Sequence, residues 1–161
     1  MAFKMYAMRA KVELSILDNV NIYALWGNDS HSDAYEDPRH NHMGYRLLSA
    51  DAIDTTHGLD EYDALRISFA IPDGSRDLKQ EIMTLYDGNL DKLNAVSFDK
   101  GCYMGQELTA RIHYRALIKK RLFQIASDTT PNDADIKTTE GALAGDLLCF
   151  HKKSALVKSQ N

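Results

Sequence analysis

The segment around Cys102 has the residue types and the spacing best suited to chemistry in this sequence. It reads DKGCYMG from Asp99 to Gly105, which places a cysteine in a turn framed by two glycines just before a helix start. A thiol near a helix N-terminus lies close to free backbone N–H groups, and Lys100 adds a cation, so the thiolate is favoured. Such a thiolate can be a nucleophile, a redox sensor or a ligand of a metal or cluster. From spacing alone, a buried and inert cysteine is an equal alternative.

The other candidates for chemistry are weaker. Cys149 lies inside an apolar run and is predicted to be inert. Two cysteines 47 positions apart exclude a disulfide-rich scaffold and a structural zinc site built on cysteine pairs, and they favour a reduced compartment. His40 and His42 lie beside Asp37, but three or four metal ligands cannot be assembled there, so we expect a polar loop and no metal site. The common hydrolase and metalloprotease signatures are absent.

The net charge of −4 hides a basic segment. Residues 100–121 carry six basic residues and one acidic residue, whereas residues 1–99 carry nine basic and seventeen acidic residues. The overall acidity argues against a general nucleic-acid-coating protein, because phosphate affinity depends on many Lys and Arg contacts. The basic segment from Arg111 to Arg121 can still hold one anionic ligand or a short RNA. The bland alternative for Glu107 and Arg111 is a solvated helical ion pair at i, i+4 spacing.

The elements that must position these residues follow from the apolar patterns. Lys11–Leu17 and Val20–Trp26 predict two paired strands, and residues 27–41 predict a long loop. No apolar run approaches the roughly 20 residues that cross a bilayer, and no signal peptide is visible, so we expect a cytoplasmic protein. The remaining predictions are strands at Tyr45–Leu48, Leu117–Ile125 and within Gly141–Phe150, and helices at Leu59–Phe69, around Leu78–Tyr86, and at Gln106–Tyr114.

A family resemblance enters at the cysteine motif. KGCYMGQE (Lys100–Glu107), followed by LTAR to Arg111, resembles the signature of the YgfZ family of folate-binding proteins, which includes the mitochondrial assembly factor for iron–sulfur clusters. Further similar segments occur in the same order and cover nearly the whole chain: YAMRAKV (Tyr6–Val12), DPR (Asp37–Arg39), Gly44–Arg46, LRISFAIP (Leu65–Pro72) and NLDKLNAVSFDKGC (Asn89–Cys102).

The fold implied by the resemblance is α+β and is like that of the glycine-cleavage T-protein. Residues 1–116 would form part of its folate-binding domain, and residues 117–161 would begin its C-terminal β-barrel domain. Family members are longer, so we expect a chain shortened at both ends, with an incomplete cavity and weak or absent folate binding. We also expect association with a second copy or with a complementary N-terminal polypeptide, through the strands at Val12–Leu17 and Ile22–Leu25.

The function implied by the resemblance is that of an accessory protein in iron–sulfur cluster assembly or repair. Its cofactor would be tetrahydrofolate, and its partners the iron–sulfur assembly machinery or cluster-dependent enzymes, including a bacterial tRNA methylthiolation enzyme. Cys102 would be the functional thiol, supported by Lys100, and the residues near the folate site would be Gly101, Tyr103, Gly105, Gln106, Glu107 and Arg111.

Two alternatives stay open. One is a tetrahydrofolate-dependent aminomethyltransferase, and the other is an RNA-contacting module built on the basic segment. Cys102 and Gln106 argue against the transferase, because the T-protein segment resembles FxGKE or FxGRE without them. Ser68 also stands where T-protein enzymes have a glutamate.

Overall fold

The computed structural model describes residues 11–115, 118–132 and 134–159. Within these ranges the chain forms two antiparallel sheets and two α-helices, so the predicted α+β class is confirmed at this level. No helix in the described ranges is long and apolar enough to cross a membrane. The elements are β1 Asn21–Leu25, β2 Tyr35–Glu36, a 3-10 turn Asn41–Met43, β3 Tyr45–Ser49, α1 Leu59–Ser68, α2 Gln106–Arg115, β4 Leu122–Ala126, β5 Asp135–Lys137, β6 Leu143–His151 and β7 Ser154–Ser159.

The first sheet has the strand order β1-β3-β2, with β3 in the centre. The strand predicted at Tyr45–Leu48 is therefore confirmed, but the strand pair predicted between residues 11–17 and β1 is wrong. Residues 11–17 form no strand and are exposed, while β1 pairs with β3 from Asn21↔Ser49 to Leu25↔Tyr45. An alternating pattern forms a strand only where a partner and a packing surface exist, and the described residues provide neither for the apolar side chains of residues 12–17.

Helix α1 forms where the apolar spacing predicts it. Its first turn is closed by Glu61, whose carboxylate accepts a hydrogen bond from the Gly58 backbone N–H at 3.0 Å. It ends at Ser68, and Ala70 adopts a positive φ of 53° just before the Ile71–Pro72 turn. The predicted end near Ala70 is therefore correct to within two residues.

Helix α1 separates two hydrophobic clusters. On one side Leu65 and Phe69 pack against buried Met43, Ile71 and Leu93. On the other side Ile67 packs with Leu122 of β4 and Leu156 of β7. The second sheet, with the order β4-β7-β6-β5, therefore rests on α1 through Leu122 of the edge strand β4 and Leu156 of the neighbouring β7.

A buried ion network fixes the C-terminal half of α1 to the loop that follows it. Arg66 is 2 % exposed and donates to Asp63 and to Asp77, each at 2.6 Å. Arg76 donates to the same Asp63 carboxylate at 2.7 and 2.8 Å. Each buried charge thus has a partner of opposite sign, which is the condition under which such charges are tolerated in a core.

The helix predicted around Leu78–Tyr86 is wrong. The segment forms turns, because Glu81 has a φ of +62° and an α-helix requires negative φ throughout. Among its apolar residues Tyr86 is buried, at 2 % exposure, whereas Ile82 is 69 % exposed and the others are half-buried. In the second sheet, the strand predicted at Leu117–Ile125 corresponds to β4, which begins only at Leu122, so the described basic residues precede it; Leu117 itself lies outside the described residues. The strand predicted within Gly141–Phe150 corresponds to β6, which ends one residue later, at His151.

Candidate functional site

The Cys102 motif forms an exposed turn that leads directly into α2. Gly101 and Cys102 are exposed, and Gln106 N–H donates to the Tyr103 carbonyl at 3.2 Å to close the turn. Gly105 has a φ of +87°, a conformation that favours glycine, although a Cβ there would meet no atom within 4 Å. The thiol of Cys102 is free and exposed, so the alternative of a buried cysteine is excluded.

Helix α2 holds this turn in place through contacts on its inner side. Thr109 is buried, its carbonyl accepts a hydrogen bond from the Tyr86 hydroxyl at 2.8 Å, and its own hydroxyl donates to the Gly105 carbonyl at 3.4 Å. His113 stacks on Phe98 with ring centroids 3.8 Å apart. The contacts at Thr109 and His113 join α2 to two points of the preceding segment. They therefore fix the position of the helix that follows the Cys102 turn.

The other predicted site residues of the motif lie along the same stretch of chain. Tyr103 and Gln106 are half-buried, whereas Lys100, Glu107 and Arg111 are exposed. Within the described ranges no ion pair within 4 Å joins Glu107 and Arg111, so the proposed solvated pair is not formed. Both residues instead line a shallow groove of about 460 Å³ along α2, together with Ala110, Tyr114 and Arg115.

Cys149 is chemically different from Cys102. It is half-buried beside the cluster of Ile67, Leu122 and Leu156. Burial, with a further contribution from the Asp77 carboxylate, raises the pKa of the Cys149 thiol to about 11. At neutral pH this thiol is protonated and unreactive, which agrees with the prediction that Cys149 is inert.

A second site, which the sequence analysis missed, is an open cleft of about 620 Å³ between β1, residues 53–58 and the start of α1. Its polar and aromatic lining comes from Arg46, Trp26, His57 and Tyr62, with the Trp26 ring 5.4 Å from His57 and 6.4 Å from Tyr62 between centroids. The main apolar lining residues are Ile22, Leu25, Leu47, Ile53 and Leu59. No residue of the Cys102 motif lines this cleft.

The floor of the cleft is fixed by an ion cluster around Asp37. Its buried carboxylate accepts hydrogen bonds from Arg39 at 2.6, 2.9 and 3.1 Å and from Arg46 at 3.1 Å. Both arginines also donate to the Tyr62 hydroxyl, and the Arg46 guanidinium lies 4.8 Å from the centre of the Tyr62 ring. Burial alone would raise the pKa of Asp37, but the bonds from Arg39 and Arg46 outweigh it and lower that pKa to about 2.

The sequence contains a local signal for part of the ion cluster around Asp37. Asp37, Arg39 and Arg46 stand out as an acid and two bases within ten residues of mixed loop and strand. Their partner Tyr62 comes from α1, however, and nothing local in the sequence joins it to them.

Nearby, the His40 ring accepts a hydrogen bond from the His42 backbone N–H and stacks on Phe69 with ring centroids 4.2 Å apart, so this ring has a packing role. Within the described ranges no group of three His, Cys, Asp or Glu side chains could hold a metal ion.

Comparison with known proteins gives one consistent result. No protein-family model matches the sequence. The mitochondrial iron–sulfur cluster assembly factor IBA57 of Mus musculus is 38 % identical over 139 residues, which cover 77 % of this chain and 39 % of the mouse protein. The homologues of IBA57 from Dictyostelium discoideum and Mycosarcoma maydis are 33 % identical over 148 residues and 34 % identical over 165 residues. They cover 76 % and 89 % of this chain, and 36 % and 40 % of the relatives. The chain therefore spans about two fifths of the length of the curated relatives it matches.

Proposed function

Because the chain is homologous over most of its length to the iron–sulfur cluster assembly factors of the IBA57/YgfZ family, we propose that it is an accessory protein of iron–sulfur cluster assembly or repair that acts through Cys102. The observation that carries the proposal is the exposed thiol in the turn before α2. A thiol in this position is accessible to a large partner, and the buried contacts of Thr109 keep its base in place.

The number of cysteines limits how this chain can engage a cluster. Clusters of two or four irons are normally held by four protein ligands, mostly cysteine thiolates. This chain has two cysteines, and the raised pKa of half-buried Cys149 keeps that thiol protonated. Cys102 therefore supplies one thiolate, whose proton passes to solvent, and a carrier or recipient protein supplies the other ligands. The cluster is cargo shared between two proteins in this scheme.

The open cleft is the place where we propose that tetrahydrofolate binds. A pterin is flat and rich in hydrogen-bonding atoms, and the rings of Trp26, His57 and Tyr62 with the Arg46 guanidinium fit such a group. The volume of about 620 Å³ is within the usual range for small-molecule sites. One side is open, however, and its rim residues Ile22 and Leu59 are 69 % and 65 % exposed.

Folate binding by this chain alone should therefore be weak or absent. Ligand sites normally bury about 70–90 % of the ligand surface, and a cleft without one wall leaves much of the ligand in water. Titration calorimetry with tetrahydrofolate tests this directly. Micromolar binding by the 161-residue chain would show that the walls present here are sufficient.

We also propose the domain division and location that the family implies. Residues 1–116 would be part of a T-protein-like folate domain, for which the first sheet and α1 are the support. Residues 117–161 would begin the C-terminal β-barrel domain, for which the sheet β4-β7-β6-β5 is the support. The free state of both cysteines is compatible with the cytoplasm.

The aminomethyltransferase alternative gains no support at the position where T-protein enzymes have an acid. Ser68 is the last residue of α1, and its exposed hydroxyl donates to the Leu65 carbonyl at 2.7 Å. This hydrogen bond closes the end of the helix. Serine also has no carboxylate that could hold a pterin in the cleft. We therefore do not advance the transferase as a second function.

The decisive experiment compares the two cysteines in cells that lack their own family member. Two proteins are expressed in parallel: the chain itself, and a full-length family member in which this chain replaces the corresponding segment. Each is made as wild type, as Cys102→Ser and as Cys149→Ser. Cluster-dependent enzymes, including tRNA methylthiolation, are then assayed. We expect Cys102→Ser to abolish the rescue and Cys149→Ser to preserve it. Equal rescue by the wild type and by Cys102→Ser would overturn the proposal.

A further inference from the structure

Helix α2 presents one face that the rest of the described chain does not cover. Leu108, Arg111, Tyr114 and Arg115 are all exposed, and their spacing places them on one side of the helix. We call these four residues the outer face. Leu108 is 54 % exposed and Tyr114 is 69 % exposed, which is unusual for two large apolar side chains on the same helix face. The opposite side of the helix faces the rest of the protein, since Thr109 on that side is buried.

The charges on the outer face are also unpartnered. Within the described ranges, Arg111 and Arg115 form no ion pair within 4 Å, and neither do Lys119 and Lys120, which follow the helix. Every other arginine in these ranges is paired with an aspartate: Arg39, Arg46, Arg66, Arg76 and Arg121. The described part of the chain thus neutralises its guanidinium groups except on this helix, whose only acidic residue is Glu107 at the N-terminal end.

We propose that the outer face of α2 is a docking surface for an acidic amphipathic helix of a partner protein. Tyrosine and arginine are among the residue types that contribute most to protein interfaces, and here one tyrosine and two arginines follow Leu108 along two turns of the helix. An acidic helix would pair its carboxylates with Arg111 and Arg115 and pack its apolar side chains on Leu108 and Tyr114. The inference deepens the proposed function, because Leu108 lies six residues after Cys102 and a partner held there is brought next to the thiol.

The composition of this surface favours protein over RNA. Tyr114 and the arginines would suit either ligand, since bases stack on aromatic rings and phosphates pair with arginine. Leu108 and Met104 are different, because their apolar side chains, 54 % and 86 % exposed, gain nothing from a phosphate backbone.

The test measures binding of two defined probes by fluorescence anisotropy. One probe is a synthetic amphipathic helical peptide with leucine on one face and glutamate on the flanks, and the other is a short single-stranded RNA. We expect the peptide to bind the wild-type chain and a scrambled peptide of the same composition to bind much less. The double variant Arg111→Glu/Arg115→Glu should weaken peptide binding about tenfold, and Leu108→Ser should weaken it without affecting the RNA.

The matched control is Lys79→Glu/Lys92→Glu, which changes the net charge equally at two exposed cations that form no ion pair within 4 Å with any described residue. It should leave peptide affinity within about twofold of the wild type, and circular dichroism checks that all variants fold. The proposal is overturned if the peptide does not bind, if both charge reversals act equally, or if RNA binds more tightly than the peptide. Cys102→Ser should not change peptide affinity, so failure of docking and failure of the thiol proposal are separate results.

Discussion

Replacement of Asp37 by asparagine tests the ion cluster that shapes the cleft. The Asp37 side chain is 2 % exposed and accepts four hydrogen bonds, three from Arg39 and one from Arg46. The substituted amide would keep the size of the side chain but remove its charge, so two partly buried guanidinium groups would face a neutral group. Among the described residues, the Tyr62 hydroxyl, which accepts from both arginines, would be their only close side-chain acceptor apart from that amide.

The magnitude follows from two independent arguments. The pKa of Asp37 falls from an ordinary 3.8 to about 2, and the difference corresponds to about 2 kcal/mol of stability at neutral pH. Removing one partner of a buried ion pair costs about 3–5 kcal/mol. Because the Arg39 and Arg46 side chains are 29 % and 28 % exposed, solvent compensates part of that cost. We therefore expect Asp37→Asn to lose about 2–3 kcal/mol in the free energy of unfolding.

The pH dependence of this loss has a definite sign. The folded pKa of Asp37 lies below its unfolded value, so its stabilisation is present above about pH 4 and disappears as the pH falls toward 2. Urea unfolding at about pH 7 and about pH 3 should show a difference between wild type and Asp37→Asn that shrinks at the lower pH. The matched control is Glu36→Gln, the exposed neighbour in β2. If Asp37→Asn lies within about 0.5 kcal/mol of this control at neutral pH, the cluster does not stabilise the fold.

Three further predictions concern α2, the thiols and the sheet edge. Tyr86→Phe removes the hydrogen bond to the Thr109 carbonyl and should cost about 1 kcal/mol in urea unfolding; no loss would contradict the anchoring role. Iodoacetamide at about pH 8 should modify Cys102 in the native protein and Cys149 only after unfolding, so mass spectrometry should show one adduct and then two. The outer edge of β1, which pairs with no strand in the described ranges, should cause self-association in sedimentation at low micromolar concentration, and a compact monomer would refute this.

Much of the secondary structure could be predicted because it depends on local signals. Helix α1 has apolar residues at helical spacing and a proline beyond its end, and α2 follows a glycine that begins the helix. The wrong predictions share another feature. Residues 11–17 alternate like a strand but pair with no strand in the described ranges, and residues 78–86 repeat like a helix but are broken by the positive φ of Glu81. Periodicity shows which side chains prefer burial, and tertiary contacts decide whether a regular element forms.

The two candidate sites differ in the same way. The Cys102 turn is continuous in sequence, so its glycines, cysteine and following helix were visible together. The cleft is built from β1, β3, residues 53–58 and α1, and its charged floor depends on the contact of Tyr62 with Arg39 and Arg46. Such a site is a product of strand register and helix packing, and a single sequence does not determine either of them.

The separation of the two sites constrains how folate and the thiol can be coupled. No residue of the Cys102 motif lines the cleft, so a ligand bound in the cleft would not contact the Cys102 thiol directly. A continuous route nevertheless exists through packed residues. Tyr62 lines the cleft and belongs to α1, and Ile67 of the same helix packs on Leu122. The Leu122 carbonyl accepts a hydrogen bond from the Asn89 side-chain amide at 2.9 Å. Asn89 lies three residues after Tyr86, whose hydroxyl donates to α2. Among the described residues, α1 and this segment form one packed connection through which a ligand in the cleft would act on Cys102 without touching it.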